Sequence, residues 1–185
     1  MRWEELFADL EAQWDAAAAR DLAGEVTDRT RRETGLLRLQ DRLRAGIGDQ
    51  LGLLCEGAGS LRGRLLDVGV DWLLLQDAGR RELLVPAAAL LGVSGVGTRS
   101  EVPGSDGDVS RRLDLRYALR ALARSRAAVE VCLRDGTTLS GTLDRVGADH
   151  VDLAEHPPGE ARRAVAVRQV RVIPTAALSA IRSSS

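Results

Sequence analysis

Two stretches of the chain repeat one pattern: residues 61–75 read LRGRLLDVGVDWLLL, and residues 139–153 read LSGTLDRVGADHVDL. At this offset of 78 residues, both stretches keep leucine, glycine and leucine at alternate positions, followed by Val-Gly and an aspartate. Further on, VPAAALLGV at residues 85–93 matches IPTAALSAI at residues 173–181, at an offset of 88. A recurring offset indicates two copies of one structural unit, the second with a ten-residue insertion (88 minus 78).

Within each copy, apolar residues alternate with polar ones, and this period of two is typical of half-buried β-strands. Val129, Val131 and Leu133 show the alternation before a possible turn sequence, RDG, at residues 134–136. A second turn sequence, VGAD, follows at residues 146–149, and glycine adopts the positive φ that such turns need. Short strands joined by tight turns predict an antiparallel meander in each copy.

The second strand of each copy contains a glycine, Gly63 or Gly141. Because glycine weakens a strand, its presence predicts a sharp bend that lets one strand serve both halves of a five-stranded barrel. A bulge without closure is the alternative. A fourth strand is expected at residues 81–85 and a fifth at 90–93, since Pro86 forces a short turn between them. The insertion of the second copy is expected between its third and fourth strands.

A helix is predicted before each barrel. Residues 30–33 have the spacing of a capping box and lead into three leucines on one helical face, namely Leu36, Leu39 and Leu43. Ser110 can cap a second helix, whose apolar face is formed by Leu115, Ala118, Leu119 and Leu122. The predicted parts are an N-terminal amphipathic helix (1–29), a first helix and barrel (30–95), a linker (96–109), and a second helix and barrel (110–185).

A helix, five short strands, a glycine in a bent second strand and a proline turn before the last strand together resemble the Sm-like superfamily of small, SH3-like barrels. The resemblance covers residues 31–95 and 110–183. It implies a mainly β fold with helices, built as two tandem five-stranded barrels. The chain is also similar to little-characterised proteins of high-GC Gram-positive bacteria that carry the label of Fis-type regulators, although no helix-turn-helix supports that label.

The resemblance does not extend to the RNA pocket of the family. Sm proteins that bind uridine-rich RNA use an Asp and an Asn after the second strand and an Arg-Gly pair near the fourth. Here Gly69 and Gly147 take the Asp position, and the chain contains no Asn. Neither fourth strand supplies Arg-Gly. Because Sm-type rings form by edge-strand pairing, the resemblance still implies that the chain can associate with itself through the fourth and fifth strands.

The composition restricts the function further. The 26 basic residues, all Arg, nearly cancel the 27 acidic ones, so no overall field attracts nucleic acid. No stretch approaches the roughly 18 apolar residues of a membrane span, and the start MRWEELFADL lacks a secretory pattern, so a cytoplasmic location is expected. Cys55 and Cys132 are predicted to be buried free thiols.

The N-terminal segment contains four large apolar side chains at heptad-like spacing: Trp3, Phe7, Leu10 and Trp14. Residues 1–19 also contain five acids and one Arg. Large aromatic side chains dominate the energies of protein interfaces, which favours a helix that binds a protein partner or a second copy of the chain. The alternative is a helix packed on its own barrels.

Arginines recur every four residues along the second predicted helix, opposite its leucines, at Arg112, Arg116, Arg120 and Arg124. Together with three arginines expected on the barrel surface, Arg62, Arg64 and Arg145, they can contact nucleic-acid phosphates. The alternatives are a solvated face, or one neutralised by the acidic N-terminal segment.

No catalytic or metal site is predicted. The only histidines, His150 and His156, have no Cys or carboxylate cluster at ligand spacing, and Trp72 is expected to be a packing residue. No cofactor or small-molecule substrate is expected. The sequence favours a non-enzymatic scaffold, adaptor or regulator that acts through protein–protein interaction or self-association. The alternative is a nucleic-acid-associated regulator.

Overall fold

A computed structural model describes residues 34–100, 113–158 and 166–184 of the chain. The chain divides into two compact units, residues 1–38 and residues 39–185. Of the first unit, only residues 34–38 are described, and residues 34–36 are helical. Every element named below belongs to the second unit. The predicted domain boundaries at residues 29, 95 and 109 stay predictions.

Each copy of the repeat contains a short helix and five strands. The first copy comprises α1 (Leu39–Ala45), β1 (Gln50–Cys55), β2 (Gly59–Val68), β3 (Trp72–Gln76), β4 (Glu82–Pro86), a 3-10 turn (Ala87–Ala89) and β5 (Leu90–Ser94). The second comprises α2 (Leu115–Ser125), β6 (Ala128–Leu133), β7 (Thr138–Val146), β8 (His150–Glu155), β9 (Gln169–Pro174), a 3-10 turn (Thr175–Ala177) and β10 (Leu178–Ser183).

All ten strands form one antiparallel sheet, in the order β5-β1-β2-β3-β4-β10-β6-β7-β8-β9. The first five strands in this order and the last five have the same arrangement, since β5 and β10 are the fifth strands of their copies. The sheet is not closed, so β5 and β9 are its two ends. The mainly β class is confirmed, while the division into two barrels stays a prediction.

The long second strand of each copy pairs with two different neighbours. In β2, residues 59–64 pair with β1, and residues 64–68 pair with β3 across a bulge. A Cβ atom on Gly63 would lie 2.5 Å from the carbonyl oxygen of Gln76, and one on Gly141 would lie 2.2 Å from that of Ala154. Both distances are far below van der Waals contact, so only glycine fits at these positions.

The predicted turns and strands are confirmed. The sequence RDG connects β6 to β7, and Gly136 has the positive φ of 88° that was expected there. VGAD connects β7 to β8, and the fourth and fifth strands of the first copy lie within a residue of their predicted positions. The insertion also lies where it was expected, because residues 156–168 connect β8 to β9 whereas residues 77–81 connect β3 to β4.

The two helix predictions need correction. The second helix begins at Leu115, and its N-cap is Asp114, whose carboxylate accepts a hydrogen bond of 3.0 Å from the backbone N–H of Tyr117. Ser110 is therefore not the cap of this helix. Before the first copy, residues 37 and 38 interrupt the helix, so α1 is short. Leu43 is buried as predicted, but Leu39 is exposed.

The hydrophobic core consists of two clusters, and each takes residues from both copies. The first is formed mainly by β1–β5 but also includes Ala180 of β10. The second is formed mainly by α2 and β6–β10 but also includes Trp72 and Leu84. Leu115 and Leu119 bury the apolar face of α2 in the second cluster, as predicted. The two copies therefore stabilise each other.

Candidate functional site

The joint between the copies is the pairing of β4 with β10. Leu84 lies opposite Ile181, and Leu83 lies opposite Arg182. The backbone N–H of Glu82 also donates a 3.0 Å hydrogen bond to the hydroxyl of Ser183. The fourth strand of one copy and the fifth strand of the other therefore form a continuous sheet.

The tip of the β1–β2 hairpin extends this joint. The buried hydroxyl of Ser179 donates a hydrogen bond to the carbonyl of Glu56 and accepts one of 3.2 Å from the N–H of Ala58. A Cβ atom on Gly57 would lie 2.2 Å from the carbonyl oxygen of Leu133, so only glycine fits at the tip. The joint is thus closely packed as well as hydrogen-bonded.

A third contact links the β2–β3 turn to the start of α2. The Asp71 carboxylate accepts a 2.7 Å hydrogen bond from the N–H of Leu115, the first residue of α2. The indole N–H of Trp72 donates a 3.0 Å hydrogen bond to the carbonyl of Leu113. A carboxylate at a helix N-terminus satisfies a backbone donor that has no intrahelical partner. Trp72 is a packing residue, as predicted, and it is buried rather than partly exposed.

Strands β5 and β9 lie at the two ends of the sheet, and among the described residues no strand pairs with their outer sides. Among the described residues, β5 pairs only with β1, and β9 pairs only with β8. Large apolar side chains are exposed on both strands, with Leu91 of β5 at 65% and Val172 of β9 at 62%. We call these strands the β5 edge and the β9 edge. Unpaired N–H and C=O groups along an edge are a template for another strand.

The arginines predicted to contact phosphate are only partly brought together. Arg120 and Arg124 of α2 line a surface depression with Arg145 of β7. Arg126, which the sequence analysis missed, also lines it; it is the C-cap of α2 and lies two residues after Arg124. We call this depression the arginine basin; its other lining residues are Ala123, Asp144 and Val146.

The remaining arginines of that prediction lie elsewhere. Arg116 is held by Asp114, with 2.9 Å between the guanidinium Nε and a carboxylate oxygen. Arg62 lines a different depression, beside β5, and Arg64 donates a 3.1 Å hydrogen bond to the carbonyl of Gly48. Arg112 lies outside the described residues, as do the predicted partner-binding residues Trp3, Phe7, Leu10 and Trp14.

The two histidines have different surroundings. His156 is buried, with 2.9 Å between its Nε2 and the Thr142 hydroxyl and 3.1 Å between its Nδ1 and the carbonyl of Pro157. His150 begins β8, where its Nδ1 lies 2.9 Å from Asp149. This contact lowers the pKa of the Asp149 carboxyl. Within the described ranges, no group of three or more His, Cys, Asp or Glu side chains could hold a metal ion.

Both cysteines are free thiols, as predicted. Burial, together with the nearby Cys132, raises the pKa of the Cys55 thiol from 9.0 to about 11. Cys132 is half-buried, and its pKa is raised chiefly by burial. Cys55 is therefore a core residue without thiolate character at neutral pH.

On the β9 edge, one ion pair binds a side chain back to the sheet. The Arg171 guanidinium contacts Glu155 of β8, and Gln169 donates a 3.0 Å hydrogen bond to the same carboxylate. Chiefly through the hydrogen bond from Arg171, the pKa of Glu155 is lowered. Arg171 thus lies along β8, while Val172 is exposed to solvent.

Comparison of the chain with models of protein families found no match, and a search of curated proteins found no similar sequence. Within the described part of the chain, no helix has the length and apolar character needed to cross a membrane.

The sequence analysis named the fourth and fifth strands as the elements of self-association, but it did not single out individual residues of the joint or of the two edges. A signal was present in the comparison of the copies, because the offset of 88 aligns Ser179 with Leu91. This position is buried in the second copy, where it holds Ser, and exposed in the first, where it holds Leu, so the two copies have different neighbours there. Positions that are equivalent in the two copies therefore have different surroundings, because only one of each pair lies at the joint.

Proposed function

We propose that this protein is a non-enzymatic scaffold that associates with further copies of itself by pairing the β9 edge of one chain with the β5 edge of the next. The observation that carries this proposal is the joint between β4 and β10. There, the fourth strand of the first copy pairs with the fifth strand of the second. The corresponding strands of the opposite copies, β9 and β5, are the two ends of the sheet.

The repeat predicts the register of the contact between chains. Adding 88 to Leu84 gives Val172, and subtracting 88 from Ile181 gives Val93. By the same offset, Leu83 and Arg182 correspond to Arg171 and Ser94. Val172 of one chain would therefore lie opposite Val93 of the next. This register is specific, because a slip of one residue would turn the apolar side chains to the other face.

The exposure of equivalent residues supports this proposal. Leu84, which β10 covers, is 4% exposed, whereas its counterpart Val172 is 62% exposed. Ser179, which the hairpin tip covers, is fully buried, whereas its counterpart Leu91 is 65% exposed. Burial of one such side chain contributes about 1.5–3 kcal/mol before the cost of association is subtracted.

The proline that ends β9 does not prevent such pairing. Pro174 removes a backbone donor, and a proline often protects an edge strand from association. However, Pro86 ends β4 in the same way, and β4 pairs with β10 nonetheless. The bonded residues of β4 precede its proline, and the corresponding residues of β9 precede Pro174.

The finer fold prediction, two tandem barrels of the Sm-like type, is part of this proposal. It is supported by the strand order, which recurs in both halves of the sheet, and by the close approach of the neighbouring strand at Gly63 and Gly141. Rings of Sm-type proteins form by edge-strand pairing, so the proposed contact is the one that the resemblance implies. Because it joins two different edges, it leads either to a closed ring or to a filament.

Light scattering on the purified full chain, together with two single variants, tests this function. Val172→Asp disables the β9 edge, and Leu91→Asp disables the β5 edge. We expect the wild type to form oligomers and each variant alone to be monomeric. An equimolar mixture of the two variants should form a dimer and nothing larger, because each pair of chains retains one intact contact. Val70→Asp, at an exposed valine in the β2–β3 connection, is the matched control.

Two results would contradict the proposal. One is a wild-type monomer over the whole concentration range. The other is an oligomer that persists in both edge variants. If the oligomer instead disappears in the double variant Trp3→Ala/Trp14→Ala, the predicted N-terminal contact, and not the edges, is responsible for assembly.

A further inference from the structure

The arginine basin is the strongest concentration of charge that the assembly proposal does not use. Arg120, Arg124, Arg126 and Arg145 line it with a single acid, Asp144, so its local net charge is +3 (four minus one). The chain as a whole has a formal net charge of −1. The positive charge is therefore a local feature and does not reflect the composition.

Two structural elements hold these side chains around the basin. Burial of Leu115 and Leu119 fixes α2 against the second core cluster, which leaves Arg120 and Arg124 exposed on the opposite face. These two arginines are one turn apart, about 6 Å along the helix axis. Arg145 reaches the basin from β7, which packs along α2. The packing of α2 against the core and against β7 thus determines where these three arginines lie.

The C-terminus of α2 adds the fourth arginine. Arg126 has the left-handed backbone conformation of a C-cap, with φ of 56°. Its guanidinium lies 3.7 Å from the half-buried carboxylate of Asp144, which compensates part of the positive charge of the basin. Arginines near a helix C-terminus also interact favourably with the helix dipole, which accounts for Arg124 and Arg126 but not for Arg145.

Three arginines of the basin differ from several arginines elsewhere that carboxylates hold closely. Arg81, Arg116 and Arg171 each contact a carboxylate closely, at Asp77, Asp114 and Glu155 respectively. Within the described residues, Arg120, Arg124 and Arg145 form no ion pair. Asp114 attracts Arg120 electrostatically, and Asp144 lies among the four arginines, but the positive charges outnumber these acids. Guanidinium groups around one depression repel each other, and an anion placed between them reduces that repulsion.

We propose that the arginine basin binds the phosphate backbone of nucleic acid. Guanidinium groups form paired hydrogen bonds with phosphate, and such contacts fix the position of a nucleic acid without reading its sequence. An acidic protein segment is the competing ligand, but protein interfaces depend on apolar or aromatic anchors. Among the described lining residues only Ala123 and Val146 are apolar, and none is aromatic. The composition of the basin therefore favours phosphate.

The salt dependence of binding tests this site, using the full chain and fluorescence anisotropy of labelled single-stranded RNA and duplex DNA. Four phosphate contacts predict a slope of log K against log salt of about −2.8 for a single strand. Arg120→Gln and Arg145→Gln should each lower affinity on every sequence and reduce the slope by about 0.7. Arg62→Gln removes the same charge from an exposed arginine outside the basin and should change neither quantity.

Four results would overturn this inference: no binding of either nucleic acid by the wild type at low salt, an equal loss of affinity in Arg62→Gln, unchanged affinity in the basin variants, or displacement of RNA by poly-glutamate at equal charge concentration. The same titration with the Val172→Asp variant distinguishes the site from self-association. We expect the monomer to keep the basin contacts and their salt slope. Circular dichroism of each variant shows that a loss of binding does not reflect unfolding.

Discussion

Leu84 of β4 lies directly opposite Ile181 of β10, although the two residues belong to different copies of the repeat. Both side chains are buried, and both belong to the second core cluster, which is otherwise formed mainly by the second copy. Trp72 enters the same cluster from the first copy, while Ala180 of the second copy enters the other. The copies are therefore expected to unfold together.

Leu84→Ala and Ile181→Ala should each lower the free energy of unfolding by about 2–5 kcal/mol, because each leaves a cavity in the shared cluster. The double variant should lose about 0.5–3 kcal/mol less than the sum, since the two positions are opposite each other. Urea denaturation followed by circular dichroism measures both quantities and should show one transition.

Leu91→Ala is the control for this pair, because its side chain is exposed in the single chain. At concentrations where the chain is monomeric, it should change stability by about 0.5 kcal/mol or less. Strict additivity of Leu84→Ala and Ile181→Ala, or two separate transitions, would show that the copies fold independently.

Gly141→Ala and Gly63→Ala should destabilise the fold by about 1–3 kcal/mol or more, the cost typical of overpacking. The new Cβ atom would lie 2.2 Å from the Ala154 oxygen or 2.5 Å from the Gln76 oxygen, and these backbone atoms cannot rotate away. Gly97→Ala is the control, because the nearest atom to its Cβ would be 3.9 Å away. Thermal unfolding measures the difference, and equal melting temperatures for all three variants would refute the close approach.

The reactivity of Cys55 should depend on unfolding rather than on pH near neutrality. With its pKa raised to about 11, the folded protein holds the thiol in its protonated form. The resulting contribution to stability is present below pH 9.0, the ordinary pKa, and is lost as the pH rises toward 11. Iodoacetamide should therefore label Cys132 first in the native protein, and Cys55 only in urea.

The single-thiol variants Cys132→Ser and Cys55→Ser assign the two labelling rates. If the Cys55 thiol in Cys132→Ser reacts at pH 8 as fast in native protein as in urea, it is neither buried nor shifted in pKa. Cys55→Ser should retain the faster native-state labelling, since Cys132 is only half-buried.

Local patterns predicted the strands and turns because they depend on neighbours in the chain. The alternation of Val129, Val131 and Leu133 defines β6, and the glycine inside each second strand lies where the neighbouring strand leaves no room for a Cβ atom. The start of α2 was predicted wrongly, because Ser110 and Asp114 are both good N-caps by residue type. The contact of Asp71 with Leu115 supports the observed start, and it joins residues that lie far apart in the chain.

The residues of the arginine basin illustrate the same limit. Helical spacing places Arg120 and Arg124 on one face, and their four-residue spacing was visible in the sequence. Which arginine of the β-strands lies beside them depends on how α2 packs, and the structure selects Arg145 rather than Arg62 or Arg64. The contribution of Arg126 depends on where the helix ends.

By itself, the sequence determined the repeat and the strand and turn positions, because periodicity and conformational preference act within a few residues. Only the tertiary structure decided that β4 pairs with β10 and that β5 and β9 are the ends of the sheet. Leu84 and Val172 are equivalent by sequence, yet one is buried and the other exposed. The difference arises because a strand edge pairs with the edge that is nearest to it in space. Both copies of the repeat have the same two edges, so the sequence alone does not show which of them pair within the chain.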